Sequence, residues 1–147
     1  MASDNKKIRD VMTRNPDCVN ETASVRDAAR IMKDSDTGVV PVTDGKKVIG
    51  LITDRDIVVR GLADGKDLSN AKVNDLMTKK VRSVREDTPI SEVLELMSRS
   101  EIRRVTVVDA NDELVGIVSI GDISRSTNQD SKVGKAIETI SQAPPNR

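Results

Sequence analysis

Two short motifs in this sequence bring together groups that chemistry can use. Thr53-x-x-Asp56 and Ser119-x-x-Asp122 each place a hydroxyl three residues ahead of a carboxylate. If each motif opens a helix, the pair is close to a capping box, with the shorter Asp in place of Glu, and needs no ligand. The same geometry also suits a ligand. An aspartate in the first turn can accept from both hydroxyls of a ribose, and the Thr or Ser hydroxyl with the unpaired amides of the helix start favours a phosphate. The two roles can coexist. A magnesium site at Asp54, Arg55 and Asp56 is a third reading, since such sites use one or two carboxylates with substrate phosphates. No nucleophile–base pair and no P-loop accompanies it, and Gly61 to Lys66 lacks the P-loop spacing. The expectation is a protein that is not an enzyme.

Missing residue types narrow the field further. The chain has no histidine and one cysteine, Cys18. Zinc sites of the Cys/His type, Ser-His or Cys-His catalysis and intramolecular disulfides are therefore excluded, and no metal site is expected. Cys18 has no basic neighbour to activate it and reads as a small buried filler. Phe, Tyr and Trp are also absent. The core must be built from Val, Ile, Leu, Met and Ala, and single-stranded nucleic acid finds no stacking platform. Lys plus Arg and Asp plus Glu are both 24, so the net charge is zero, which argues against a nucleic-acid or anionic-membrane partner. No apolar run approaches the ~18 residues of a membrane span. The start, Met1 to Lys7, has no apolar stretch behind its lysines, so a cytoplasmic location is expected.

The elements that position the two motifs come in duplicate. Val11-Met12-Thr13 recurs as Leu76-Met77-Thr78, and Val19, Met32, Val40, Val42 and Asp44 keep register with Val84, Met97, Val105, Val107 and Asp109. After one inserted residue in the turn 109–112, Gly50, Asp56 and Ile57 match Gly116, Asp122 and Ile123. Each copy reads as a short extended piece (17–19 or 82–84), a helix, two strands joined by a turn, and a second helix starting at Thr53 or Ser119. Val25, Ala28, Ala29 and Met32 form the stripe of one first helix; Ile90, Val93, Leu94 and Met97 form the other. Thr88-Pro89 reads as an N-cap followed by proline at N1. Asp44-Gly45 and Asn111-Asp112 mark the hairpin turns. A unit of about 60 residues is marginal alone, so two copies are expected to pack sheet against sheet. The expected organisation is repeat 1 over 8–64, a polar linker over 65–72, repeat 2 over 73–126 and a polar tail over 127–147. Val133, Ala136, Ile137 and Ile140 give the tail a short amphipathic helix docked on the body or a partner, ended by Pro144-Pro145. Small residues in the first helix, Ala28 and Ala29, together with the tail, are expected to serve a homodimer interface.

Asp10-Val11-Met12-Thr13 with Asp75-Leu76-Met77-Thr78, and Gly50 to Asp56 with Gly116 to Asp122, resemble the CBS domain family over residues 8 to about 125. The stretch 101–123 is similar to repeats of the gamma subunit of AMP-activated protein kinase. The resemblance implies an α/β (α+β) fold: two βαββα repeats packed about a pseudo-two-fold axis, with up to two ligand clefts between them, often as a disc-shaped dimer. It implies a regulatory module for AMP, ADP, ATP or S-adenosylmethionine, with no required cofactor. It carries the ribose and phosphate role to Thr53, Asp56, Ser119 and Asp122. It carries the base pocket to Thr13, Asp17 and Cys18 with Thr37, Gly38 and Val39, and in the other repeat to Thr78, Arg82 and Ser83 with Ile102, Arg103 and Arg104. Any one of Val39, Cys18 and Ile102 also reads as plain core. Arg103-Arg104 leads into a strand, where a basic pair is usually a solvated edge, yet guanidinium suits phosphate. The first repeat has Gly38-Val39 there, so the clefts differ. In a crossed arrangement Arg103 and Arg104 share a cleft with Asp56, and Gly38 shares one with Asp122. A protein target of the module is also implied, and the alternative is a homodimeric interaction scaffold that needs no ligand.

Overall fold

The computed structural model describes residues 6–79, 81–126 and 130–141. After a single 3-10 turn, Ile8–Asp10, the elements are β1 (Thr13–Arg14), β2 (Val19–Asn20), α1 (Val25–Ser35), β3 (Val39–Asp44), β4 (Lys47–Thr53), a π-helix (Asp56–Leu62), α2 (Val73–Leu76), β5 (Ser83–Arg85), α3 (Ile90–Ser100), β6 (Arg104–Val108), β7 (Leu114–Ser119), α4 (Ile120–Ser126) and α5 (Asp130–Ser141). The βαββα order is thus present twice, in a mixed α/β fold. The chain divides into two compact units, one spanning Pro16–Val81 and the other joining residues up to Asn15 to those from Arg82 on.

In the first unit β2, β3 and β4 form a three-stranded sheet, with β2 parallel and β4 antiparallel to β3. Ser24 caps α1 by accepting from the Asp27 amide at 3.1 Å, and Asp36, at φ 51°, ends it by donating its amide to the Met32 carbonyl. Val25, Ala28 and Met32 are buried under α1, and Ile31 flanks them. Ala29 is exposed, contrary to the stripe read from sequence. The buried face runs through the 31 side of the helix because that side meets β3. Ala28 is fully buried in this core and so is not available to a dimer interface.

The second unit has a four-stranded sheet ordered β1-β7-β6-β5. Ile90, Val93, Leu94 and Met97 all lie inside its core, joined by Ile8, Met12, Val105, Val107, Val118 and Ile123. Helix α3 begins one residue later than the sequence implied. Pro89, not Thr88, is its N-cap, with no side-chain cap bond. The Pro89 carbonyl already accepts from the Glu92 amide at 3.0 Å, and the amide proline lacks is one no helix needs there. The tail helix α5 packs on α3 and α4 of its own unit, burying Ala136 and Ile140 while Ile137 stays 44% exposed. The side chain of Val133 and the pair Pro144-Pro145 lie outside the described residues. The polar linker is ordered locally: Asp67 accepts from the Ser69 hydroxyl, the Ser69 amide and the Asn70 side chain, which holds its carboxyl below the usual carboxylate range.

The leading segment of each repeat is held by the unit of the other. Lys6 O accepts from the Ile90 amide at 3.2 Å, Thr88 O from the Ile8 amide at 2.8 Å, and β1 pairs antiparallel with β7. In the other unit Ala71 O accepts from the Val25 amide at 3.0 Å, Ala23 O from the Val73 amide at 2.8 Å, and Thr78 bridges to Leu51. Asp10 and Asp75 play identical parts, each accepting at 3.0 Å from the amide three residues before it. Gly50 and Gly116 repeat for a reason this exchange explains. A Cβ on Gly50 lies 2.7 Å from the Thr78 carbonyl oxygen, and one on Gly116 lies 2.4 Å from the Met12 sulfur.

Candidate functional site

Both Thr/Ser-x-x-Asp motifs stand where a strand passes into a helix, and both close the reciprocal box. The Thr53 amide donates to Asp56 Oδ2 at 2.9 Å, and the Asp56 amide donates to Thr53 Oγ1 at 3.0 Å. The Ser119 amide donates to Asp122 Oδ2 at 2.9 Å, and the Asp122 amide to Ser119 Oγ at 3.1 Å. One carboxylate oxygen in each motif is therefore structural. The other oxygen, Oδ1, differs between the units.

Asp56 is fully buried. Thr78 Oγ1 lies 3.5 Å from its Oδ1, and Arg60 Nη1 lies 3.8 Å from the same atom. Arg60 also donates to the Met77 carbonyl at 3.2 Å, so one guanidinium ties the carboxylate to the segment laid over β4. The π-helical turn that carries Arg60 closes through an amide of Ala63 on the Val58 carbonyl at 2.9 Å. Asp122 is half-buried, and Arg125 Nη2 sits 2.7 Å from its Oδ1. The sequence reading missed Arg60 and Arg125. The signal was a basic residue one turn after each acid, the spacing at which helix side chains meet.

The strand register brings the remaining wall residues to these motifs. Val39 is opposite Thr53, and the Asp54 amide donates to the Gly38 carbonyl at 2.9 Å. A Cβ on Gly38 comes within 2.9 Å of Asp54 Oδ2, so a larger residue there displaces the Asp54 side chain. The same register in the other unit puts Arg104 opposite Ser119 and lets the Ile120 amide donate to the Arg103 carbonyl at 2.9 Å. Within their own unit Arg103 and Arg104 thus have Ile120 and Ser119 as neighbours. Arg103 Nη2 also donates to the Ile140 carbonyl at 3.2 Å, placing a cation on the last turn of α5.

The other wall residues scatter. Thr37 Oγ1 and the Val39 amide are 3.3 Å apart, within the first unit. Asp17 accepts from the Ser35 hydroxyl at 2.9 Å. Thr13 pairs with Ile117 and so belongs beside β7, whereas Thr78 lies beside Asp56. The Arg82 carbonyl accepts from the Thr106 amide, the Ser83 hydroxyl meets that of Thr106 at 2.5 Å, and Ile102 is half-buried. Cys18 is exposed and not the buried filler read from sequence. Val19 takes the inward position at the start of β2, and strand alternation turns its neighbour outward. Among the described residues no group of three or more His, Cys, Asp or Glu side chains is placed to hold a metal ion. No helix among them is long and apolar enough to cross a membrane.

The sequence matches the CBS domain family over residues 8–62 and 73–129. The chain belongs to that family. It is 41% identical over 138 residues to the YlbB protein of Bacillus subtilis, covering 92% of each chain. The CBS domain pair of protein MJ0100, solved with 5′-methylthioadenosine and S-adenosyl-L-methionine, superimposes with a TM-score of 0.71 at 31% identity, over 82% of this chain and 94% of that one. CBSX2 of Arabidopsis thaliana, solved with AMP, superimposes with a TM-score of 0.69 at 28% identity, over 82% of this chain and 94% of that one. CBS pairs similar to this chain thus hold adenosyl compounds.

Proposed function

We propose that this chain is a non-catalytic cytoplasmic sensor in which Asp56 and Asp122 receive the ribose hydroxyls of adenosyl ligands. The observation that carries the reading is the register at Ser119. Arg104 stands opposite Ser119 in the β6–β7 register, and the Asp122 amide donates to Ser119 Oγ, which supports a set of guanidinium, hydroxyl and carboxylate within one unit. That set suits a ligand with a phosphate, so AMP, ADP or ATP belongs at Asp122. The Thr53 and Asp56 site has Gly38 and Val39 where the arginines stand. It suits an adenosyl compound without phosphate, such as S-adenosylmethionine. Thr13, Asp17, Cys18, Thr37, Thr78, Arg82, Ser83 and Ile102 remain the residues proposed for the base, and Arg103 supplements Arg104 at the phosphate. A homodimer and a regulated protein target complete the reading. Val58, Val59 and Leu62 support the dimer: the π-helix leaves them 53, 40 and 64% exposed, an apolar strip suited to a second copy.

The test is calorimetric titration of the full chain with AMP, ATP, adenosine and S-adenosylmethionine. Arg104→Ala is expected to weaken AMP about tenfold, the value of one charge-assisted hydrogen bond, and to leave S-adenosylmethionine unchanged. An absence of heat with every adenosyl compound favours the ligand-independent interaction scaffold instead.

A further inference from the structure

Three features at the Asp122 motif fit together. Arg125 Nη2 lies 2.7 Å from Asp122 Oδ1, the oxygen not used by the Ser119 amide. The guanidinium folds back across Gly121: a Cβ there meets Arg125 Nη1 at 3.3 Å and Ser119 Oγ at 3.6 Å. Arg55 occupies the matching position of the other repeat. There the corresponding cation, Arg60, stands 3.8 Å from the carboxylate and donates to the Met77 carbonyl. The Asp122 carboxylate thus carries its own cation at charge-assisted hydrogen-bond distance.

We propose that Arg125 is a specificity residue that makes the Asp122 site select phosphorylated nucleotides over neutral adenosyl compounds. The inference rests on the reading of Asp122 as the ribose-binding carboxylate. A ligand diol that donates to Oδ1 competes with Arg125 for that atom. A neutral nucleoside leaves the displaced guanidinium without a counter-charge in exchange. A nucleotide brings a phosphate, so the released cation regains an anionic partner and the exchange costs little. Discrimination arises from the lost ion pair, not from any clash with the nucleoside. Arg125 and Asp122 side chains are 71% and 24% exposed, so solvent screens the pair and its effect on affinity is a factor of about two to five.

The test is titration of the uniformly 15N-labelled full chain with adenosine and with AMP, read at the Ser119 and Asp122 amides. Arg125→Gln is expected to tighten adenosine about two- to fivefold and to leave AMP equal or weaker, so that the AMP preference falls. Arg125→Lys keeps the charge and is expected to retain most of the preference. Gly121→Ala asks the flexible guanidinium to give by only a few tenths of an ångström and is expected to keep most of the preference. An AMP-to-adenosine ratio unchanged or raised in Arg125→Gln overturns the proposal while leaving the site reading intact. If neither ligand moves these amides in any of the proteins, the reading of Asp122 as a ligand carboxylate fails, and the proposal falls with it.

Discussion

Replacing Gly50 with alanine puts a Cβ 2.7 Å from the Thr78 carbonyl oxygen and 3.1 Å from the Met77 sulfur. The sulfur can rotate away, but the carbonyl is backbone. It is fixed by the two hydrogen bonds that join Leu51 and Thr78, at 3.0 and 2.8 Å. Either β4 and the segment 77–78 carry the overlap as strain, typically about 1–3 kcal/mol, or they separate and lose two backbone bonds worth about 1 kcal/mol each. Both routes arrive at about 2 kcal/mol of destabilisation. Gly116→Ala is the internal comparison. Its nearest obstacle, at 2.4 Å, is the flexible Met12 sulfur, and the Thr13 carbonyl stands farther off at 3.0 Å. Its cost is expected to be about 1 kcal/mol, at the low end of overpacking. Gly134→Ala, in a helix with nothing within 4 Å of the new methyl, is expected to stabilise by up to about 1 kcal/mol. Urea unfolding followed by far-ultraviolet circular dichroism measures all three, since the chain has no Trp or Tyr for fluorescence. A Gly50→Ala protein within about 0.5 kcal/mol of wild type, or one more stable than Gly116→Ala, refutes the account of these glycines.

Asp56→Ala leaves the buried Thr53 amide without its 2.9 Å acceptor and is expected to cost about 2–3 kcal/mol in the same urea assay. Asp122→Ala removes a half-buried cap and is expected to cost about 1 kcal/mol. The lowered Asp67 carboxyl stabilises the linker turn above the unfolded carboxylate range, and the effect is lost as pH falls through its lower folded value. Amide exchange at Ser69 and Asn70 should therefore rise on acidification, and Asp67→Asn should abolish that dependence. Ile140→Ala deletes a side chain only 2% exposed and is expected to destabilise its unit by about 2–4 kcal/mol, read as faster amide exchange in α5 and α3 with β3 and β4 unaffected.

The helices and hairpins were legible because their patterns are local. Ile90, Val93, Leu94 and Met97 announce one helical face, and all four are buried in α3. The same spacing misled at Ala29, because periodicity identifies a stripe but a short stripe of small residues does not say which flank meets the sheet. Asp56 and Asp122 were found by their offset from Thr53 and Ser119, and both boxes formed. Arg60 and Arg125 were not found. A basic residue one turn from an acid is ordinary on a helix surface, and only coordinates distinguish a 2.7 Å bond from a 3.8 Å approach. The pairing of Arg104 with Ser119 was not legible either, because strand register is a tertiary property.

The sequence by itself determined the repeat, the βαββα order, the aliphatic core and the absence of histidine chemistry, since each depends on residue type and near spacing. It also marked Gly50 and Gly116 as equivalent. Only the tertiary structure decided what those glycines accommodate. Met12 and Thr13 lie on β7, whereas Met77 and Thr78 lie on β4, so each repeat is completed by the leading segment of the other. Local pattern carries no information about that choice. In the segment 73–78 the amides of Val73, Asn74 and Thr78 donate to the carbonyls of Ala23, Glu21 and Leu51, and those distant partners are selected by long-range packing.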